Sequence, residues 1–193
     1  MSDVAAKSGS WRSARRVKKN RIGCQRETNV TLFQALLMLA TFLCSLVAGF
    51  LFAFAVVIMP GIRSLDDGGF IRGFQVIDRV IQNNQPLFMF VWVGSALSLI
   101  AAAVFGSWAL GGADRLLLIA AALVYVLCVQ LPTVTINIPL NNKLQRLDPS
   151  TMSETMRKRA RDDFEARWNR WNAIRTACAS LTSILMLILL LRA

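Results

Sequence analysis

Apolar residues in this chain gather in four long blocks that are separated by polar segments. The blocks run over residues 30–59, 87–110, 116–138 and 173–191. A helix rises about 1.5 Å per residue, so about 20 apolar residues cross the roughly 30 Å hydrocarbon core of a bilayer. The pattern therefore predicts an all-α integral membrane protein, a four-helix bundle with four transmembrane spans.

Two of the polar segments carry a helical pattern of their own. Residues 70–82 place apolar side chains at helical spacing with charged and amide residues between them, which predicts a short amphipathic helix at the membrane interface between spans 1 and 2. Pro60 is expected to end the first span before this helix begins. Apolar positions also recur through residues 156–171. We therefore expect one long final helix, over residues 152–191, that extends out of the membrane.

The first 29 residues form a basic leader, with eight Lys or Arg against two acids. We expect residues 1–29 to be disordered and attracted to anionic lipid, unless the start codon is misassigned. The domain that follows comprises residues 30–193. With the leader included, the side of the leader carries ten Lys or Arg, and the side of the two long loops carries eleven. The positive-inside rule therefore leaves the orientation undecided. The expected location is a bacterial inner membrane.

Composition excludes several kinds of chemistry. The chain has no histidine, which removes His-ligated haem, Ser-His-Asp triads and most catalytic zinc sites. All 11 carboxylates lie outside the four apolar blocks, so an ion-coupled transporter would lack acidic groups within the membrane. We expect no metal, no cofactor and no nucleic-acid partner. The expected partners are membrane lipids and a lipophilic aromatic small molecule.

Polar side chains concentrate at one membrane face. On the third span, amide and hydroxyl residues follow one another along a single stripe, and Pro132 and Pro139 free backbone carbonyls beside it. The start of the second span and the segment 168–175 reach the same face. Singly, each residue has an ordinary membrane role, because asparagines join helices and tryptophans form interfacial belts. Together they predict a ligand pocket formed by Asn83, Asn137, Asn141, Trp168, Trp171 and Asn172.

Arg175 is predicted to be a buried cation in this pocket. It shares a helix face with Trp168 and Asn172 and is expected inside the bundle, where a cation needs a partner. No acid lies within one helical turn of it. The candidate partners are therefore Asp78, from the interfacial helix, and an anionic ligand.

Four stretches resemble a family of small bacterial and fungal membrane proteins that includes the fungal anthrone oxygenases. They are residues 48–61 (Ala-Gly-Phe-Leu-Phe-Ala-Phe, then Met-Pro-Gly), 74–83, 133–141 and 167–175. The resemblance covers about residues 32–191 of the chain and implies a compact four-helix membrane bundle. It also implies an activity, because the characterised fungal members oxidise anthrones to anthraquinones with O₂, without a metal or an organic cofactor.

Such a reaction needs a base that forms an electron-rich enolate and a cation or amides that hold its oxyanion. Asp78 is the candidate base, and Arg175 is the candidate oxyanion group, together with the amides of the pocket. The first hypothesis is thus a cofactor-independent oxygenase or oxidoreductase that acts on a phenolic or quinone-like compound. Aromatic side chains suited to such a ligand are Phe50, Phe54, Phe88, Trp92, Trp168 and Trp171.

The second hypothesis is a non-catalytic membrane protein that docks a partner or lipid headgroups. It rests on the alternating charges of residues 157–163, although such a run is more often a solvated helix face. A small transporter is a third option, for which four spans leave little room unless the protein dimerises.

Overall fold

Five helices make up residues 32–192, which are the part of the chain that the computed structural model describes. They are α1 (Leu32–Arg63), α2 (Asp67–Gln82), α3 (Pro86–Ala109), α4 (Gly112–Gln145) and α5 (Glu154–Arg192). All except α2 are long and apolar enough to cross a membrane, and no strand occurs within 32–192. The predicted membrane bundle of four helices is confirmed. The predicted basic leader, residues 1–29, lies outside the described residues.

Polar side chains fix where three of the helices begin. The Asp66 carboxylate accepts a hydrogen bond from the N–H of Gly69 at 2.7 Å, at the start of α2. Gln85 caps α3 in the same way, and Pro86 follows it at the first helical position, where a missing N–H is harmless. At the start of α5, Ser153 Oγ accepts from the N–H of Met156 at 3.3 Å.

The predicted end of the first span at Pro60 is wrong, because α1 continues through this proline to Arg63. The reason lies in the turn before it. Residues Phe54–Ile58 form a π-helical turn, in which the N–H of Met59 bonds to the carbonyl of Phe54, five residues back. The helix widens directly before Pro60, which has no N–H to donate to a backbone carbonyl. The helix can therefore continue through the proline.

Helix α4 contains two π-helical turns of the same kind. The π-helical turns Val126–Gln130 and Thr133–Asn137 flank Pro132, and the second leads into Pro139. The Thr133 hydroxyl donates to the carbonyl of Val129 at 2.6 Å, which satisfies a backbone group near the proline. As a result, the second half of α4 is widened and places the side chains of Thr133 and Asn137 inside the bundle.

Two clusters of buried side chains hold the helices together. The larger runs along α1, α3, α4 and α5. The smaller joins α2 to the first half of α5 and includes Phe70, Phe74, Phe164 and Trp168. Arg161 reinforces this contact, since its guanidinium bonds to Asp67 at 3.1 Å and stacks on the ring of Phe70. Helix α2 therefore packs on the first half of α5, at the end of the bundle opposite the start of α1.

At the end of the bundle away from α2, side chains pack closely around Gly106 of α3. A Cβ atom there would clash with the side chain of Leu118 and lie 2.8 Å from Phe33 Cε2. We expect Gly106→Ala to lower the free energy of unfolding by about 1–3 kcal/mol, the usual cost of overpacking. Thermal unfolding of the purified protein in detergent measures this. Gly49→Ala in α1 is the control, since no heavy atom lies within 4 Å of that Cβ. Equal unfolding temperatures for the two variants would contradict the packing.

Candidate functional site

A cavity of about 270 Å³ lies at the end of the bundle near α2. All five helices contribute to it, as does the turn between α2 and α3. Its volume is near the lower end of the range for small-molecule sites, about 300 Å³. The polar side chains around it are Asp78, Gln82, Asn84, Thr133, Asn137, Asn141, Asn142, Asn172 and Arg175.

Arg175 lines this cavity as a buried cation, with only 4% of its surface exposed. Its two terminal nitrogens donate to Thr133 Oγ1 at 2.9 Å and to Asn172 Oδ1 at 3.0 Å, and both acceptors are neutral. Its Nε atom has no hydrogen-bond partner. Among residues 32–192, no ion pair involves Arg175. The site therefore holds an uncompensated positive charge, which favours an anionic group in the cavity.

Asn172 fixes the position of this cation. Its Nδ2 atom donates to the carbonyl of Leu51 in α1 at 3.1 Å, and this bond leaves Oδ1 to accept from Arg175. The ring of Trp168, two turns before Arg175, lies 5.8 Å from the guanidinium carbon. Both contacts hold the guanidinium without neutralising it.

Asn137 offers a second polar group to the cavity. Only 1% of its surface is exposed, yet neither its Oδ1 nor its Nδ2 atom has a partner within the described structure. A buried amide without partners costs about 1–3 kcal/mol, so such groups usually have a ligand or water. Asn137 can donate one hydrogen bond to a ligand oxygen and accept another from a ligand hydroxyl.

Asp78 lies in α2, with 2% of its surface exposed, and lines the same cavity. Three amide groups donate to its carboxylate: Asn141 at 2.8 Å, Gln82 at 2.6 Å and Gln145 at 3.0 Å. Burial raises the pKa of Asp78 above its usual range, while the three hydrogen bonds oppose the shift. A carboxylate with a raised pKa is a better proton acceptor than an exposed one.

Asn141 connects this carboxylate to the final helix. Its Oδ1 atom accepts from the indole nitrogen of Trp168 at 2.8 Å, and its Nδ2 atom donates to Asp78. The amide orientation is thereby fixed, since the indole can only donate. Helices α2, α4 and α5 are joined at the cavity by this chain of two hydrogen bonds.

Aromatic rings form the remaining wall. Phe50 of α1 lies 4.9 Å from Phe54 and 5.1 Å from Phe88, measured between ring centroids. Phe88 stacks on Trp92 at 5.5 Å, and Phe54 lies 5.6 Å from Trp168. These separations are those of favourable aromatic pairs. A planar ligand can pack against such rings while its polar atoms face Arg175 and Asn137.

Six of the eight site residues proposed from the sequence line the cavity: Asp78, Asn137, Asn141, Trp168, Asn172 and Arg175. Asn83 does not line it. It is exposed at the end of α2, and the next residue, Asn84, lines the cavity instead. Trp171 is half-buried and also lies outside the lining. Asp78 and Arg175, considered as possible partners, form no ion pair with each other.

Sequence reasoning missed the role of Gln145. This residue supports Asp78 from α4 and also donates to the backbone carbonyl of Gln75 at 2.9 Å. The signal was present, because Gln145 follows Asn141 by four residues and extends the polar stripe of α4 by one turn. Thr133, part of that stripe, holds Arg175.

The charged run 157–163, considered as a docking surface, is partly paired within the chain. Arg161 bonds to Asp67 and to Glu165, and Lys158 lies 3.4 Å from Asp162. These contacts account for part of the charge without a partner protein.

The fold and the cavity define an integral membrane bundle of four helices with a small-molecule-sized site at one end. A sequence model of the anthrone oxygenase family matches residues 82–185, more than half of the chain, and the protein belongs to this family. Comparison with curated proteins and with solved structures gives no match. The matched region includes Asn137, Asn141, Trp168, Asn172 and Arg175, whereas Asp78 precedes it.

Proposed function

We propose that this protein is a cofactor-independent oxygenase, or a related oxidoreductase, that acts on a lipid-soluble phenolic or quinone-like compound in the cavity. The observation that carries the proposal is that the uncompensated Arg175 and the unpartnered Asn137 line one cavity with aromatic rings. Family membership supports the reaction class, and independence from a cofactor follows the resemblance to the fungal anthrone oxygenases.

In the proposed reaction, a ring oxygen of the ligand accepts hydrogen bonds from Arg175 Nε and Asn137 Nδ2. Asp78 takes a proton from the ligand, and the negative charge that develops on the ring oxygen is stabilised by the guanidinium. The resulting enolate is electron-rich and reduces O₂. When a ring methylene becomes a carbonyl, one oxygen atom enters the product and the other leaves as water. When a hydroquinone becomes a quinone, O₂ leaves as hydrogen peroxide.

Asn137→Leu tests this proposal with little risk to the fold, because the Asn137 amide has no partner in the described protein. Purified wild-type protein should consume O₂ when an anthrone or a hydroquinone is added. Asn137→Leu should lower kcat/KM by about tenfold or more, the value of one hydrogen bond to a charged group, and should leave the unfolding temperature unchanged or higher.

Asn169→Leu on α5 is the matched control, since Asn169 lies outside this cavity and should keep wild-type activity. No O₂ uptake by the wild type with either compound would contradict the proposed reaction. Equal kcat/KM values for the two variants would contradict the role of Asn137.

A further inference from the structure

Part of the cavity lies between α3 and the second half of α4. Helix α3 packs against the first half of α4, Gly112–Tyr125, and among the described residues it has no comparable packing against the second half. The cavity occupies this separation, with Phe88, Met89 and Trp92 on the α3 side and Ile138 on the α4 side. The space between Met89 and Ile138, here called the gap, adjoins the outer surface of two membrane-spanning helices, where Ile138 is partly exposed.

The side chains around this gap are apolar. Met89 is half-buried, and 43% of the surface of Ile138 is exposed. The surface on either side of the gap is also apolar, formed by the exposed side chains of Phe90, Val93, Leu131 and Val134. Another part of the cavity rim differs, because exposed amides form it: Gln82, Asn84 and Asn142.

The cavity therefore has an apolar side, at the gap, and a polar side, at the rim of amides. Polar groups with free hydrogen-bonding capacity, Arg175 Nε and Asn137, are enclosed, while the apolar gap adjoins the outer surface of the two helices. A compact cavity of about 270 Å³ holds a quinone ring but is shorter than an extended long alkyl chain, so such a substituent on the ring cannot lie fully inside it. The apolar gap between α3 and α4 can take such a substituent.

We infer that the ligand of this cavity is an amphiphile, a phenolic or quinone ring that carries a hydrocarbon tail, and that the tail leaves through the gap between Met89 and Ile138. The inference rests on the proposed function and adds the ligand's second chemical group. The ring lies against the aromatic wall with its oxygen at Arg175. The tail lies among lipid chains.

A tail in this position has a specific thermodynamic consequence. Lipid chains are as apolar as the side chains of the gap, so the tail gains little free energy when it moves from the bilayer into the gap. Affinity expressed per mole fraction of ligand in the membrane should therefore not depend on tail length. A tail confined inside the cavity would instead clash with its walls.

Methyl- and decyl-substituted benzoquinones test the inference with the full chain in lipid nanodiscs. Quenching of tryptophan fluorescence reports binding, because Trp92 and Trp168 line the cavity. Wild type should bind both quinones equally per mole fraction. The variant Met89→Phe/Ile138→Phe, which narrows the gap, should weaken decyl binding by about tenfold relative to methyl binding, as expected for overpacking.

Two controls identify the exit. Ile100→Phe places the same bulk on a lipid-exposed position of α3 and should change neither affinity. Asn142→Phe narrows the polar rim and should not weaken decyl binding relative to methyl binding. The inference is overturned if wild type excludes the decyl quinone, if the gap variant weakens both quinones equally, or if Asn142→Phe selectively weakens the decyl one. In those cases methyl binding still supports the proposed site, whereas the absence of binding by either quinone contradicts both proposals.

Discussion

Replacement of Arg175 by Met should strongly weaken the binding of an anionic ligand while leaving the protein as stable as the wild type or more stable. The guanidinium is buried without an acid and bonds only to neutral groups. Its burial therefore costs free energy that no ion pair within residues 32–192 offsets. Methionine keeps much of the apolar stem and removes the charge.

The expected loss of affinity is about 10- to 100-fold, the value of one hydrogen bond between charged groups. A hydroxynaphthoquinone that is ionised at neutral pH serves as the ligand, and its neutral methyl ether is the comparison. Arg175→Met should weaken the anion much more than the ether. Thermal unfolding, followed by circular dichroism of the helices, measures stability in the same preparations.

Arg170→Met is the matched control, because Arg170 lies on the same helix and is exposed. It should change neither affinity nor unfolding temperature. A fall in the unfolding temperature of Arg175→Met with unchanged affinity per folded molecule would mean that Arg175 serves the structure and not a ligand.

The fold was largely predictable because each span is a long apolar block. Block length alone determines whether a helix crosses a bilayer, and no tertiary information is needed for that step. The path through Pro60 could not be predicted in the same way. Whether a proline ends a helix depends on whether the turn before it can widen, and this in turn depends on packing around Phe54.

The sequence predicted which helix ends meet at the candidate site. It was less informative about which individual side chains line the cavity. The choice between Asn83 and Asn84 depends on the turn after α2, where Asn84 has a φ of 56°. Asparagine tolerates this left-handed conformation, and the sequence does not reveal which of two neighbouring asparagines adopts it. Likewise, Asp78 is held by Gln145 and two other amides and not by Arg175, an outcome that only the packing of α2 against α4 decides.

The separation of Asp78 from Arg175 determines which groups in the cavity are free to contact a ligand. An ion pair between Asp78 and Arg175 would neutralise both groups and lower the basicity of the carboxylate. With amides around the carboxylate and neutral acceptors around the guanidinium, each charge remains available to a ligand. A carboxylate and a guanidinium in one cavity are the two kinds of group that the proposed deprotonation of a phenol or an anthrone needs.

Asp78→Asn should therefore remove the base and lower the rate of O₂ uptake by about 10²- to 10⁴-fold. In the wild type the rate should rise with pH as the Asp78 carboxyl loses its proton. Because burial raises its pKa, this rise should occur above the range of an ordinary aspartate. Asn has no proton to lose, so the residual rate of the variant should not show this rise.

Stability provides a second readout that needs no activity. A carboxyl whose pKa is higher in the folded than in the unfolded protein contributes stability below the unfolded pKa, and this contribution disappears as pH rises through the folded pKa. Wild type should thus lose stability relative to Asp78→Asn across that window. Asp162→Asn, an exposed substitution on α5, should keep the wild-type profile in both measurements. If Asp78→Asn also keeps both profiles, Asp78 is neither the base nor a titrating group of the site.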